Sequence, residues 1–346
     1  MNRIFKVLGI LFLGILASNC KKDDNISVKP EPIRDGKEVY AENIADIEAY
    51  LKKNYMKLEN GEVFLDSIQN GETSIWDQTN FPLKSIEMTN DAWELVKPIN
   101  SATNDYSLAK YLKVNDSVKY KIYYVLLNEG GGESPISIDS VFTTYKGFNL
   151  KNEVFDNNKN GAWSSYPQTI SEAKSGISNT FITGFRQSLS LLKTATGIID
   201  NLDGTYSYEN AGRAIVFIPS GLAYFNGSAG SGKIGKYAPI IFDLQLVSKL
   251  SRDHDKDGIP SLIEDLNGDG NYFNDDTDGD GIPDFLDEDD DGDGFTTRQE
   301  ISYKIKDEFG REITKIYEYD KIPTCSSGKK RHMDKTCYPK PDGSWD

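Results

Sequence analysis

Four short stretches in the last third of the chain place oxygen-bearing side chains at alternate positions and close each set with a glycine. They are Asp253/Asp255/Asp257/Gly258, Asp265/Asn267/Asp269/Gly270, Asp276/Asp278/Asp280/Gly281 and Asp289/Asp291/Asp293/Gly294. A carboxylate stands at the twelfth place of each stretch: Glu264, Asp276, Asp287 and Glu300. This is the ligand spacing of a calcium loop, with oxygens at the first, third and fifth places and a glycine for the sharp turn at the sixth. Calcium takes about six to eight oxygens, and only a dense run of carboxylates supplies them. From Asp253 to Glu300 there are 18 carboxylates against Lys256 and Arg298, a net of about −16, whereas the whole 346-residue chain carries −15. The acidity is therefore local, and a block of one sign repels nucleic acid and anionic lipid. A disordered acidic linker is the competing reading. Ile259-Pro260 and Ile282-Pro283, repeated in phase, argue against it.

A second constellation lies upstream and is aromatic. Five segments follow in order: Thr144-Tyr145-Lys146-Gly147, Val154-Phe155-Asp156, Phe181-Ile182-Thr183-Gly184-Phe185, Ile218-Pro219-Ser220-Gly221-Leu222-Ala223-Tyr224, and Ile241-Phe242-Asp243-Leu244-Gln245-Leu246. Their order and spacing resemble the FKBP family of peptidyl-prolyl isomerases over residues 117–250. The resemblance implies an α+β fold, a half-open antiparallel sheet wrapped around one short helix. It also implies a pocket for proline, with Tyr145, Phe155 and Phe242 as walls, Phe185 as floor and Ile182 and Tyr224 at the rim. Ile234 would close one side, and Asp156 would be the acidic residue beside the pocket. The chain departs from the family pattern in three places: Phe185 where many members have Trp, Phe225 where a Gly usually follows the Tyr, and Gly235 where a Pro usually follows the Ile.

Such a pocket uses no acid, base, nucleophile or cofactor. Rotation about a peptide bond meets a barrier of about 18–20 kcal/mol because the twisted state loses amide resonance. The planar state is the more charge-separated, so a dry apolar pocket disfavours it relative to the twisted one. In the picture the family implies, the Ile182 N–H and the Tyr224 hydroxyl hold substrate carbonyls. A hydrolytic or redox centre has no support, since only His254 and His332 exist and neither stands in a persuasive motif with Ser or Cys.

The elements that must carry these residues can be read from periodicity. Arg3 and Lys6, the apolar run from Val7 to Leu16 and the small residues before Cys20 form an export signal, too short to span a membrane. Cys20 resembles the lipidated Cys of a bacterial lipobox, with Asn19 as a departure and cleavage elsewhere as the competing reading. The resemblance implies an exported lipoprotein held at the outer membrane by its lipid, on the periplasmic face or the cell surface. Residues 21–40 read as a tether, charged and carrying Pro30 and Pro32. Ile44, Ile47, Tyr50 and Leu51 share one helical face. From 41 to 116 the chain reads as a small N-terminal subdomain, helical at its start and irregular from about 60 to 115 because turn signals interrupt its apolar runs.

Strands are expected over 118–126, 140–145, 212–218 and 239–247, and a short helix over 185–192. A hairpin turning at Asp203-Gly204 is expected between Ile198 and Asn210. The acidic repeats, residues 251–300, leave no room for paired EF-hand helices and resemble the calcium-wrapped repeats of thrombospondin. Residues 301–346 form a terminal segment whose Cys325 and Cys337 are free to pair as a disulfide in an oxidising compartment, a metal site being the competing reading. Three functions stay open: a lipid-anchored isomerase acting on proline-containing exported polypeptides, a calcium-stiffened module that only binds such peptides or a partner protein, and an adhesin-like structural protein.

Overall fold

The computed structural model describes residues 31–97, 106, 108–178, 180–340 and 345. The export signal, Cys20 and the first part of the tether lie outside them. Residues 34–346 cluster as one compact unit, mixed in class, mostly sheet with few helices. Among the described residues no helix is long and apolar enough to cross a membrane.

Helix α1 (Gly36–Lys53) starts where the Asp35 carboxylate accepts the free N–H groups of Lys37 and Glu38. It is followed by a hairpin of β1 (Asn54–Glu59) and β2 (Glu62–Ser67). The turn residues Asn60 and Gly61 both have positive φ, 50° and 79°, as a tight two-residue hairpin requires. Next come β3 (Leu83–Thr89), β4 (Trp93–Val96), β5 (Lys110–Lys113), β6 (Lys119–Asn128), β7 (Ser140–Asn149) and β8 (Val154–Ser164). The short helices α2 (Ile170–Lys174) and α3 (Thr183–Ser188) lead to the hairpin of β9 (Gly197–Asp200) and β10 (Tyr206–Glu209). The long strands β11 (Gly212–Ile218) and β12 (Ile240–Leu250) follow. Six strands form one antiparallel sheet in the order β3-β6-β11-β12-β7-β8.

Both faces of this sheet are covered, and alternation along β11 shows how. Ala214, Val216 and Ile218 point into a core shared with Phe185, Leu189 and Leu192 from the α3 segment. Ile215 and Phe217 point the other way, onto Ile47, Tyr50 and Leu51 of α1 and Val63 and Leu65 of β2. Arg213 fixes that second layer. Its guanidinium grips the buried Asp243 carboxylate with two bonds of 2.8 and 2.7 Å and donates a third, at 2.7 Å, to the Gly61 carbonyl in the β1–β2 turn.

Three expectations change. Residues 36–40, read as the end of the tether, form the first turns of α1. The region from 60 to 115, read as irregular, contains β2 to β5, and β3 is an edge strand of the main sheet. Only Met88 of β3 is buried, so a strand held by backbone pairing to β6 shows no apolar alternation. The short helix begins at Thr183, two residues before the position expected.

Beyond β12 the acidic segment runs through short turns to α4 (Thr297–Glu300) and the hairpin of β13 (Ser302–Lys306) and β14 (Glu312–Ile316). It packs on the body of the protein through aromatic rings. Phe273 stacks on Trp93 of β4 at 4.9 Å and 5° between planes, and Tyr272, Phe273, Phe285 and Leu286 form one core with Tyr111 of β5 and Ile138. A separate core joins Ile259, Ile301 and Ile322. Cys325 and Cys337 are joined by a disulfide in this structure.

Candidate functional site

Four of the five aromatic segments converge on one set of rings. Phe185, from the start of α3, meets Phe242 of β12 at 5.0 Å and Tyr145 of β7 at 5.5 Å, both edge to face. Phe242 in turn meets Tyr145 at 5.7 Å and Phe155 of β8 at 5.4 Å. Such edge-to-face pairs are favourable beyond simple burial. Two glycines permit the approach. A Cβ at Gly147 would collide with the Phe155 ring, and one at Gly184 with Ile218 beneath the helix. The Tyr145 hydroxyl donates to Asp156 at 2.9 Å, and burial together with that bond pushes its pKa up to about 12.

Ile182 precedes α3 and carries no capping side chain, and among the described residues its N–H makes no hydrogen bond. Tyr224 is half-buried beside this set, its pKa raised by burial and by the Asp156 charge. Ile234 is fully buried in the same core. The eight residues that the resemblance assigned to the pocket thus share one core and its margin, with Asp156 bound to Tyr145.

Two residues that sequence reasoning missed also belong to the site. Phe181 lies 4.1 Å from Phe185 with the ring planes tilted by 31° and meets Tyr145 edge to face at 5.9 Å, so one of the chain's own rings already lies against the floor. A cavity of about 360 Å³ adjoins α3, lined by Met88, Ile136, Val141, Tyr166, Phe181 and Leu189 among others. None of the eight assigned residues lines it. The second is Asn43 of α1, 2% exposed. Its Oδ1 accepts the Ser220 N–H at 2.7 Å and its Nδ2 donates to the Tyr237 carbonyl at 2.8 Å. One side chain therefore clamps both ends of the rim segment that carries Tyr224 and Ile234. Within that segment Phe225 has φ of +39°, the left-handed region that favours glycine. Its ring packs edge to face on Tyr237 at 5.1 Å, and its carbonyl accepts the Tyr237 N–H at 2.5 Å.

The acidic loops share one backbone pattern. In each, the N–H of the sixth-place glycine donates to Oδ2 of the first-place Asp: Gly258 to Asp253 at 3.1 Å, Gly270 to Asp265 at 2.9 Å, Gly281 to Asp276 at 3.1 Å and Gly294 to Asp289 at 2.9 Å. Those glycines have φ of 109°, 79°, 95° and 95°. The remaining oxygens test whether a cation fits. In the first loop Asp253 Oδ1, Asp255 Oδ2, Asp257 Oδ2 and both oxygens of Glu264 are buried without a hydrogen-bond partner. The fourth repeats this with Asp289 Oδ1, Asp291 Oδ2, Asp293 Oδ2 and both oxygens of Glu300. Buried polar atoms are almost always paired, so two matching sets of five unpaired oxygens fit a hard divalent cation.

Burial, reinforced by neighbouring carboxylates, raises the pKa of Asp291 to about 6, Asp287 to about 7 and Glu300 to about 9, and pushes those of Asp255, Asp257 and Glu264 upward. The second and third loops are more open, with Asn267, Asp269, Asp278 and Asp280 exposed. His254 donates no ligand to these sets. Its ring nitrogen Nδ1 lies 2.8 Å from Ser261 Oγ, and burial lowers its pKa to about 3.

The family model described as BamM C-terminal matches residues 254–332. This replaces the thrombospondin-like expectation for the acidic repeats, and the match runs past Glu300 through β13 and β14. No curated protein matches the chain. Among solved structures, a peptidyl-prolyl cis-trans isomerase from Pseudomonas syringae is 20% identical, with 37% of this chain and 74% of that one covered and a TM-score of 0.27. The N-terminal domain of FKBP42 from Arabidopsis thaliana is 13% identical, covering 37% and 86%, with a TM-score of 0.28. FkpA from Escherichia coli is 21% identical, covering 37% and 47%, with a TM-score of 0.24.

Proposed function

We propose that the sheet and α3 form an FKBP-type site for proline-containing segments of exported polypeptides, with peptidyl-prolyl isomerisation as its reaction. The observation that carries this reading is the set of Tyr145, Phe155, Phe185 and Phe242 in mutual ring contact, with the Tyr145 hydroxyl bound to Asp156. The rings would supply a dry surface for the proline. The Ile182 N–H and the Tyr224 hydroxyl would hold the flanking carbonyls. Lowering the barrier by about 5 kcal/mol would accelerate isomerisation several thousandfold.

Calcium has a structural part in this proposal, held by the first and fourth loops and outside the reaction. Attachment through a lipidated Cys20 would keep the site at an outer membrane. A second reading, a module that binds such peptides without turning them over, is favoured by Phe181 on the floor and by the positive φ at Phe225.

The test is the isomerisation of a Leu-Pro peptide by the chain lacking residues 1–20, beside Phe181→Val. Acceleration by the unaltered protein supports the enzyme. Exchange at the uncatalysed rate in both proteins, with peptide still bound, establishes the second reading. Gain of turnover only in Phe181→Val identifies that ring as the obstacle.

A further inference from the structure

One buried carboxylate outside the loop spacing, Asp290, meets the ligand set of the first loop. Asp290 occupies the second place of the fourth loop, where a side chain faces away from that loop's own ligand set. The equivalent residues of the first and third loops are His254 and Thr277, and all three donate their backbone N–H to the side chain seven residues on: Ser261, Asp284 and Thr297. Of the three only Asp290 is a carboxylate.

Its side chain reaches the first loop. Ligand oxygens of Asp257, Glu264 and Asp290 all lie within 4.8 Å of one another. The three residues are 2%, 3% and 3% exposed. Both Glu264 oxygens, Asp257 Oδ2 and Asp290 Oδ1 have no hydrogen-bond partner. No ion pair formed by any of the three is found among the described residues. Three carboxylates desolvated at this separation repel strongly, and each loses several kcal/mol of hydration. A bound cation removes both costs, and an all-oxygen donor set selects a hard one such as calcium.

We propose that Asp257, Glu264 and Asp290 together hold a calcium ion that ties the first loop to the fourth. The proposal rests on the calcium reading of the loops. It adds a ligand outside their spacing and a bridge between repeats that are far apart in sequence.

Asp290→Asn in the chain lacking residues 1–20 tests it, by calcium titration against a competing chelator and by terbium luminescence. Tyr319 feels the charges of Glu264 and Asp290 and is the natural sensitiser of terbium held there. The expected result is loss of one calcium per chain, or at least a tenfold weakening of one site, with loss of the emission that Tyr319→Phe also removes. Without calcium the variant should melt no lower than the unaltered protein, because a buried charge has been removed, so misfolding is recognised as a fall in that melt. An unchanged titration and unchanged emission in Asp290→Asn overturn the bridge while the loops stand. Absence of calcium uptake by the unaltered protein overturns the loop reading and the bridge together.

Discussion

The ring set and the acidic loops are built on opposite terms. Phe185 is buried and meets three rings, those of Tyr145, Phe181 and Phe242. In the first and fourth loops ten carboxylate oxygens are buried and unpaired. The first region is filled by the chain's own rings, whereas the second leaves buried oxygens that the chain itself does not pair. Occupancy should therefore govern the stability of the loops and hardly that of the ring set.

Chelation gives the largest effect expected. A site kept at a hundredfold excess of ligand over its dissociation constant contributes about 2.7 kcal/mol. Several such sites should raise the melting temperature of the C-terminal region by about ten degrees or more. Calorimetry with and without chelator measures this, and superimposable melts would erase the contrast. Next comes Phe242→Ala, expected to cost about 3–5 kcal/mol because the ring is buried among three others. Denaturant unfolding should show that loss equally with and without calcium.

The pH dependence tests the loops from another side. Carboxylates whose pKa is raised in the folded state add stability below their unfolded values near 4, and that stability is lost as pH rises through the folded values. For the chelated protein the window runs through about 6, 7 and 9, set by Asp291, Asp287 and Glu300. The metal-free chain should thus melt lower at pH 9 than at pH 5, with the order reversed in calcium.

Asn43→Ala should cost about 1–3 kcal/mol, since it strands the buried Ser220 N–H. It should also loosen the rim, read as faster amide exchange from Ser220 to Tyr237. Tyr145→Phe is the smallest change, about 0.5–1.5 kcal/mol for one hydrogen bond at an exposed site. It should weaken peptide binding only slightly in a fluorescence titration.

How much of this was legible in the sequence depended on whether a residue's partners were near it in the chain. β11 and β12 could be read because both faces are largely buried and most of their residues are apolar. α1 showed its Ile47 and Leu51 stripe, and the calcium spacing is local by nature. β4 and β5 were hidden because their partner is Phe273, some 180 residues beyond Trp93 on the far side of the sheet sequence. Phe181 stood in plain view beside Ile182, but its place on Phe185 is a matter of rotamer and packing. Asp290 was obscured by its neighbours, since in the run Asp289-Asp290-Asp291 only the odd places fit a calcium loop.

The clamp made by Asn43 bears on mechanics. Tyr237 is gripped twice from the N-terminal side, by Asn43 at its carbonyl and by the Arg34 N–H at its hydroxyl, 3.2 Å away. Arg34 is in turn paired with Glu42 of the same helix. A load applied at Arg34 would therefore reach the rim through Tyr237, while Tyr40 of α1, whose hydroxyl accepts the Lys121 N–H of β6 at 2.8 Å, would carry part of it to the main sheet.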